Sequence, residues 1–137
     1  MATKMFYIAI MMRKFHLAVI ANIIDYLIRI LFGCEIHSQM LCGEGLVLAH
    51  NGCGVVINKD TIIGNGVTIF QNVTIGGRKG SGAPVIGDRV MVGAGAVILG
   101  DVTIGDNAQI GANAVVIKDV PKNGTAVGVP AKIITNG

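Results

Sequence analysis

The sequence predicts an all-β triangular solenoid preceded by a short helical segment. The first observation is an aliphatic residue at every sixth position, a period that fits neither a helix nor a half-buried strand. The second is the recurrence of Gly, Asn and Asp between these positions, as tight corners require. The third is a small or β-branched residue four positions after each aliphatic one. The aliphatic positions are Ile57, Ile63, Ile69 and Ile75, followed by Ile86, Val92, Ile98, Ile104, Ile110 and Val116.

Three of these hexads predict one eighteen-residue coil, because a repeat of this kind stacks as identical rungs. Each side of the triangle is then a short strand whose aliphatic side chain points into the prism. The residues that suit the narrow interior beside the corners are Val67, Val73, Val90, Ala96, Val102, Ala108, Ala114 and Val120. The 20 glycines of the chain therefore indicate corners rather than disorder.

Residues 1–33 are predicted to form an amphipathic helical segment, and residues 34–137 the solenoid domain. One helical face carries Leu17, Ile20, Ile24, Leu27, Ile28 and Leu31. The longest stretches free of charged and histidine residues, Met5–Met12 and Leu17–Ile24, are far shorter than the roughly 20 apolar residues of a spanning helix. The segment also lacks the cleavage site of a signal peptide. We expect the apolar face to pack on the solenoid or a neighbouring subunit; the alternative is a peripheral membrane contact, which nearby cations would favour.

Composition limits the classes of partner. A hydrophobic fraction of 52% with 14% charged residues predicts that flat sides of the solenoid are covered by other copies of the chain. A formal charge of +3 and the absence of Trp argue against nucleic acid, which needs basic runs and stacking aromatics. The cysteines, Cys34, Cys42 and Cys53, form no CxxC pair and indicate neither a disulfide framework nor zinc, so we expect a reducing cytoplasm.

The repeat is broken twice, and function is expected at the breaks. From Leu48 the next aliphatic position is Ile57, nine residues on, and the intervening stretch begins at Ala49 with His50 next. Residues 77–84 form the second break, a Gly-rich, basic loop that we expect to leave the prism.

His50 is the candidate general base, since imidazole titrates near neutral pH. Such a base needs a partner that fixes its tautomer. Glu35 precedes it by fifteen residues, close to one coil, so the two side chains are expected on neighbouring rungs. The alternative is that His50 is a turn residue and Glu35 a solvated charge. A three-histidine metal site is not predicted, because only His37 and His50 lie on the coils.

The sequence resembles the serine acetyltransferases, which are hexapeptide-repeat acyltransferases with a left-handed β-helix. The stretches that carry the resemblance are Glu35-Ile36-His37, Ala49-His50, Val73-Thr74-Ile75-Gly76-Gly77, Gly93-Ala94-Gly95-Ala96, Val115-Val116-Ile117-Lys118-Asp119-Val120-Pro121 and Val127-Gly128-Val129-Pro130-Ala131. The resemblance implies a homotrimer that binds acetyl-CoA in a groove between neighbouring prisms. It also implies that His50 is the catalytic base and that Glu35 stands at the position of its acidic partner, which is usually Asp.

The resemblance extends to the acyl and cofactor sites. Gly76 and Gly77 match the backbone that approaches the thioester. Turns matching those beside the pantetheine arm contain Ala94, Ala96, Ala112 and Ala114. Candidate contacts to the CoA phosphates are Arg78, Lys79, Lys118, Lys122 and Lys132. The oxyanion of the tetrahedral intermediate is expected near backbone N–H groups of Gly76 and Gly77.

Two departures from the family pattern bear on the acceptor. Ala49 replaces the acidic residue that precedes the catalytic His, and Gly82-Ala83 replaces an Arg-His pair. Because these positions help to hold the charged groups of serine in the family, their loss weakens recognition of a free amino acid. Short relatives of this shape resemble O-acetyltransferases of surface-polysaccharide sugars. We therefore expect an acetyl-CoA-dependent O-acetyltransferase acting on a sugar hydroxyl; the alternatives are serine as acceptor and a non-catalytic scaffold.

Overall fold

The computed structural model describes residues 1–134, which form two helices followed by a solenoid of short strands. The helices are α1 (Ala2–Lys14) and α2 (Ala18–Phe32). The strands are β1 (Leu41–Cys42), β2 (Val47–Leu48), β3 (Val56–Ile57), β4 (Ile62–Ile63), β5 (Thr68–Ile69), β6 (Thr74–Gly76), β7 (Val85–Ile86), β8 (Met91–Val92), β9 (Val97–Leu99), β10 (Thr103–Ile104), β11 (Gln109–Ile110), β12 (Val115–Val116), β13 (Thr125–Val127) and β14 (Lys132–Ile134).

The strands form the three sides of a prism. The first side has the order β1-β4-β7-β10, the second β2-β5-β8-β11-β13-β14, and the third β3-β6-β9-β12. The chain visits the sides in turn, and neighbouring coils pair in parallel, except for β14, which returns antiparallel to β13. Val56 lies opposite Thr74, eighteen residues on. The predicted left-handed β-helix is therefore confirmed.

The core of the prism is built from the positions that the repeat predicts. All ten aliphatic positions from Ile57 to Val116 are buried, and so are all eight small or β-branched positions beside the corners. Cys42, which also lies on the repeat, is only half-buried. Side chains at alternate positions of a strand point to opposite faces, so each two-residue strand contributes one side chain to the interior and one to the outer surface.

Two coils are longer than eighteen residues, and both contain a predicted break. Glu35 pairs with Val56, twenty-one residues on, because the turn after β2 carries three extra residues. Thr74 pairs with Val97, twenty-three residues on, because residues 77–84 carry five extra. The stacking continues above and below both insertions, so each is expelled from the prism without disturbing its core.

The helical segment differs from the expectation in two ways. It is two antiparallel helices, since the chain reverses near His16, whose φ is +59°. Tyr7 fixes α1 to the first coil, where its hydroxyl donates to Gly43 O at 2.7 Å and accepts from Leu46 N at 2.9 Å. Of the apolar face predicted for α2, only Ile28 is fully buried and Ile24 is half-buried. Most of this face is left uncovered by residues 1–134, because the first coil offers contact to only a narrow strip of α2, and its packing on a neighbouring subunit remains a prediction.

Candidate active site

His50 lies in a strained turn outside the prism. The turn is a short 3₁₀ segment, Ala49–Gly52, in which His50 (φ 53°, ψ 35°) and Asn51 (φ 58°, ψ 23°) both adopt the left-handed conformation. Such backbone costs a non-glycine residue of the order of 1 kcal/mol and concentrates at functional sites. The side chain of His50 is exposed, so the imidazole is available to a ligand or a neighbouring chain.

Glu35 has ion-pair partners other than His50. Its carboxylate lies 3.4 Å from the Arg29 guanidinium and 3.7 Å from the His37 imidazole. Among residues 1–134, no hydrogen bond or ion pair joins Glu35 to His50. The stacking argument assumed the wrong register, since the insertion makes Val56 the neighbour of Glu35 in the next coil. The role of Glu35 as partner of the base remains a prediction.

Gln71 is a polar residue beside the turn that sequence reasoning missed. The register of Leu48 with Ile69 and the hydrogen bond from Asn72 N to the Cys53 carbonyl at 2.9 Å place residues 70–71 over the His50 turn. The side-chain oxygen of Gln71 is buried and accepts no hydrogen bond from residues 1–134. A buried carbonyl without a donor is costly, and it marks this side chain as a candidate to hold the imidazole. Gln71 is identified only by the strand register, which the sequence does not define across an insertion.

The predicted site residues divide between two edges of the prism. The corners between the second and third sides, called here the His50 edge, comprise residues 49–55, 70–73, 93–96 and 111–114. Hydrogen bonds from Gly95 N to Gln71 O and from Asn113 N to Ala94 O continue the stacking along this edge. Ala94 is half-buried and Ala112 is exposed, whereas Ala96 and Ala114 point into the core. Ala94 and Ala112 are therefore the pair that a pantetheine arm along this edge can contact with their side chains.

Gly76 and Gly77 lie at a different edge, which we call the loop edge. It comprises the corners between the third and first sides, residues 37–40, 58–61, 77–84, 100–102 and 117–119. Gly76 ends β6 and its carbonyl accepts from Gly100 N at 2.9 Å. The expelled residues that follow include Arg78 and Lys79, both exposed. One chain therefore holds His50 and the two glycines predicted to bind the acyl group on separate corners of a triangle.

The backbone itself does not require glycine at positions 76 and 77. A Cβ on Gly87, at an ordinary corner, would lie 2.5 Å from the Asp106 carboxylate and 2.9 Å from the Ile104 carbonyl. A Cβ on Gly76 would meet nothing closer than Leu99 at 3.9 Å, and one on Gly77 nothing closer than 3.4 Å. Neither residue has a positive φ. Their lack of a side chain therefore leaves open space at the surface, as a site needs where a ligand approaches the backbone closely.

Two of the five basic candidates meet in one groove. Lys118 and Lys132 line a cleft of about 290 Å³ at the C-terminal end of the solenoid, together with Asp119 and Ala131. Lys122 belongs to the remaining edge of the prism, between the first and second sides. Arg78 and Lys79 belong to the loop. The structure thus does not gather the five cations into one cluster.

A second polar cleft, of about 230 Å³, lies between α2 and the first coil. It is lined by Asn22, Asp25, Tyr26, Arg29, Glu35, Ile36, His37 and Gln39. Beside it, Ser38 donates to the Asp25 carboxylate at 2.8 Å and accepts from Arg13 at 2.9 Å. This network ties both helices to the solenoid.

Thiols near the site are of two kinds. Burial raises the pKa of Cys34 to about 12 and that of Cys42 to about 11. Cys53 is exposed in the same turn as His50, and its N–H donates to the His50 carbonyl at 3.3 Å. Residues 1–134 contain no group of three His, Cys, Asp or Glu side chains placed to share a metal ion.

Comparison with known proteins identifies relatives of this chain. The family model described as bacterial transferase hexapeptide (six repeats) matches residues 83–118. A serine acetyltransferase of Helicobacter pylori is 48% identical over 126 residues, covering 90% of this chain and 72% of the relative. The serine acetyltransferase of Bacillus subtilis is 40% identical, covering 92% and 58%.

Solved structures agree with the sequence comparison. Soybean serine acetyltransferase superposes with a TM-score of 0.88 at 38% identity, covering 97% of this chain and 56% of that one. A serine acetyltransferase in complex with CoA gives 0.87 at 36% identity, covering 97% and 55%. The chain thus spans about half the length of the solved structures that it matches.

Proposed function

Because the chain belongs to the serine acetyltransferase family of acyltransferases, we propose that it transfers the acetyl group of acetyl-CoA to the hydroxyl of serine. The support is the similarity to relatives named for that activity, at 40–48% identity, and to a structure holding CoA. On this support we propose serine first, ahead of the sugar hydroxyl expected from the sequence. The observation that carries the catalytic assignment is the strained, exposed turn that holds His50 outside the prism.

In the proposed mechanism His50 removes the proton of the acceptor hydroxyl as the oxygen attacks the thioester carbon. The carbonyl oxygen becomes an oxyanion beside the N–H groups of Gly76 and Gly77. Collapse of this intermediate breaks the C–S bond, and the imidazolium returns its proton to the departing CoA thiolate. The products are the acetyl ester and CoA, and no residue of the chain is acetylated.

The site in this mechanism is shared between two copies of the chain. His50 and Gly76 lie on different edges of one prism, so one copy supplies the base and a neighbour supplies the acyl-binding backbone. A homotrimer in which the His50 edge of each prism faces the loop edge of the next satisfies this requirement. Exposed apolar residues in register on the first side, Leu41, Ile62 and Val85, support association through a flat side.

CoA is then placed along the His50 edge. Ala94 and Ala112 leave room for the pantetheine arm, and the groove with Lys118 and Lys132 lies at the end of the same prism. Lysine ammonium groups bind phosphates as mobile point charges, so this groove is the proposed phosphate site. Lys118 belongs to the loop edge and reaches this groove at the end of the prism. Lys122, Arg78 and Lys79 also lie off the His50 edge and would reach a ligand there only from a neighbouring copy.

A sugar hydroxyl is the second candidate acceptor, and one observation favours it. Neither Ala49 nor the Gly82-Ala83 pair offers a charged group to an amino acid. Position 82 instead faces the Asp101 carboxylate, 3.4 Å from where a Cβ would lie. A carboxylate there repels the carboxylate of serine but accepts hydrogen bonds from sugar hydroxyls.

The test is a thiol-release assay with acetyl-CoA, offered serine or a panel of sugars, on variants of all three histidines. His50→Ala is expected to lower kcat by about 10²–10⁴, the usual contribution of a general base, while His16→Ala, at the helical hairpin, keeps full rate. Loss of activity in His37→Ala but not in His50→Ala would assign the base to the residue that contacts Glu35.

Complementation tests the shared site. His50→Ala and Gly76→Ala chains, each inactive alone, are mixed by co-expression. If each site takes His50 from one copy and Gly76 from another, random mixing leaves about one quarter of the sites intact. A mixture as inactive as its parents would place the whole site within one chain.

A further inference from the structure

The helical hairpin presents a broad apolar surface to solvent. We call it the hairpin surface, and it consists of Ile8, Met11, Phe15, Leu17, Val19, Ile20, Ile23, Tyr26, Leu27, Ile30 and Leu31. These side chains are between 41% and 73% exposed. Eleven large apolar side chains exposed on one helical hairpin indicate an interaction site rather than ordinary surface.

The charge of the protein is concentrated on the same segment. Residues 1–33 contain four cations, Lys4, Arg13, Lys14 and Arg29, and one anion, Asp25. The remaining residues contain seven of each sign, so the whole formal charge of +3 belongs to the hairpin. Asp25 is turned inward, where Ser38 donates to it and Arg13 lies 3.8 Å away. Arg29 lies 3.4 Å from the Glu35 carboxylate of the solenoid, so Lys4 and Lys14 are the exposed cations of the hairpin that have no ion-pair partner among residues 1–134.

We infer that the hairpin surface docks on an anionic lipid bilayer. Aliphatic and aromatic side chains of an interfacial helix enter the boundary between headgroups and acyl chains, while flanking Lys and Arg contact anionic headgroups. Phe15 and Leu17 lie in the turn between the helices, and Lys14, in the last turn of α1, is exposed next to them in the sequence. The inference does not depend on the identity of the acceptor.

Charge favours a bilayer over a second copy as the occupant. Pairing two hairpin surfaces would bring two segments of charge +3 together, whereas an anionic surface attracts them. The hairpin would lie on the bilayer and not cross it. The longer helix, α2, has 15 residues, or about 22 Å, against a hydrocarbon core of about 30 Å. Within residues 1–134 no helix has the length and hydropathy of a membrane span.

The attachment of the hairpin to the solenoid gives the docked orientation. Tyr7 and Thr3 of α1 bond to the backbone of Leu46 and Leu48, immediately before the His50 turn. The first coil therefore lies next to the bilayer and the groove with Lys132 farthest from it. The candidate base is held near the membrane surface, where an acceptor at that surface would be within reach.

The experiment is flotation of the full chain with vesicles of phosphatidylcholine alone or with 30% phosphatidylglycerol, at low and high salt. We expect the chain to float with the anionic vesicles, and the bound fraction to fall with salt. Val19→Glu/Ile23→Glu should reduce the bound fraction at least tenfold, and Lys14→Glu should reduce it at low salt. Val129→Glu is the matched control, because Val129 is 71% exposed at the opposite end of the solenoid and should bind as the parent does.

Three outcomes would overturn the proposal. They are absence of flotation with anionic vesicles, equal binding to both vesicle types, and parental binding by the Val19→Glu/Ile23→Glu variant. Light scattering after gel filtration identifies the rival occupant. If the double variant has a lower mass than the parent and the parent ignores vesicles, the hairpin surface pairs with a second copy. Far-UV circular dichroism of each variant checks the fold, and Lys14→Glu keeps the test decisive because that exposed change leaves the hairpin packing intact.

Discussion

The variant Gly76→Ala tests whether glycine is required at position 76 for activity or for folding. A methyl group at position 76 meets nothing closer than Leu99, at 3.9 Å, and the backbone there has an ordinary φ. The substitution is therefore expected to leave the free energy of unfolding unchanged or to raise it by about 0.4–1 kcal/mol, because Ala restricts the unfolded chain. The same methyl group occupies the space through which the thioester approaches the backbone. A displacement of about 1 Å lowers kcat roughly 10²-fold, and loss of an oxyanion donor costs about 10²–10³.

The matched control for this variant is Gly87→Ala. Its Cβ would lie 2.5 Å from Asp106 Oδ1 and 2.9 Å from the Ile104 carbonyl, so the coils must separate. Overpacking of this kind lowers the free energy of unfolding by about 1–3 kcal/mol. Activity per folded molecule should persist, because position 87 lies on the edge of the prism that carries neither His50 nor Gly76.

Both variants are measured in the same two assays. Urea unfolding is followed by far-UV circular dichroism, since the chain has no Trp, and initial rates of CoA release are measured at saturating acceptor. The reasoning is refuted if Gly76→Ala folds like the parent and retains its rate within twofold. It is equally refuted if Gly76→Ala is as unstable as Gly87→Ala, because glycine would then be required by the coil.

Three further predictions use the same protein. Lys118→Gln and Lys132→Gln should each raise KM for acetyl-CoA about tenfold and kcat little, since a phosphate contact contributes equally to ground and transition states; an unchanged KM for both would move the phosphates elsewhere. Iodoacetamide at pH 8 should alkylate exposed Cys53 and spare Cys34, whose pKa is about 12, and bound acetyl-CoA should slow the alkylation if the turn lines the site, as mass spectrometry would show. The free energy of unfolding should fall by about 2 kcal/mol between pH 8 and 10, because Cys34 and Cys42 stay protonated in the folded chain, where their pKa values are raised, but ionise in the unfolded chain. This contribution to stability is present below the unfolded pKa of the thiols and is lost as the pH rises above it. Urea titrations should show a smaller loss for Cys42→Ser.

The solenoid was predictable because a period of six can be satisfied in one way. Ile86, Ile98 and Ile110 share no face of a helix, and a flat strand that kept them on one face would have to run unbroken through the Gly, Asn and Asp residues between them; a triangular coil turns at those residues and buries all three. The two insertions were predictable for the same reason, since an interrupted period leaves residues without a place in the core.

The stacking of Glu35 relative to His50 could not be obtained in this way. Glu35 and His50 are fifteen residues apart, but the three extra residues lie within the turn, so counting along the chain does not give the stacking. The sequence also provided no way to tell which alanines are accessible to a ligand. Ala94 and Ala96 were both matched to the cofactor site, but Ala94 is half-buried and Ala96 is fully buried. The exposure of α2 was missed because an amphipathic pattern identifies the apolar face and not what covers it.

The division of site residues between two edges constrains the assembly. A dimer that joins two copies through their His50 edges would leave Gly76 remote from any base, whereas a twofold contact across the third side, which both edges border, would pair each His50 edge with a loop edge. A cyclic assembly also joins the His50 edge of each copy to the loop edge of the next. The triangular section of the prism, with a corner every six residues, gives edges separated by equal sides, and three copies can close a ring in which each makes the same two contacts. The insertions then serve one geometry: three residues lift His50 out of one edge, and five carry the loop out of another.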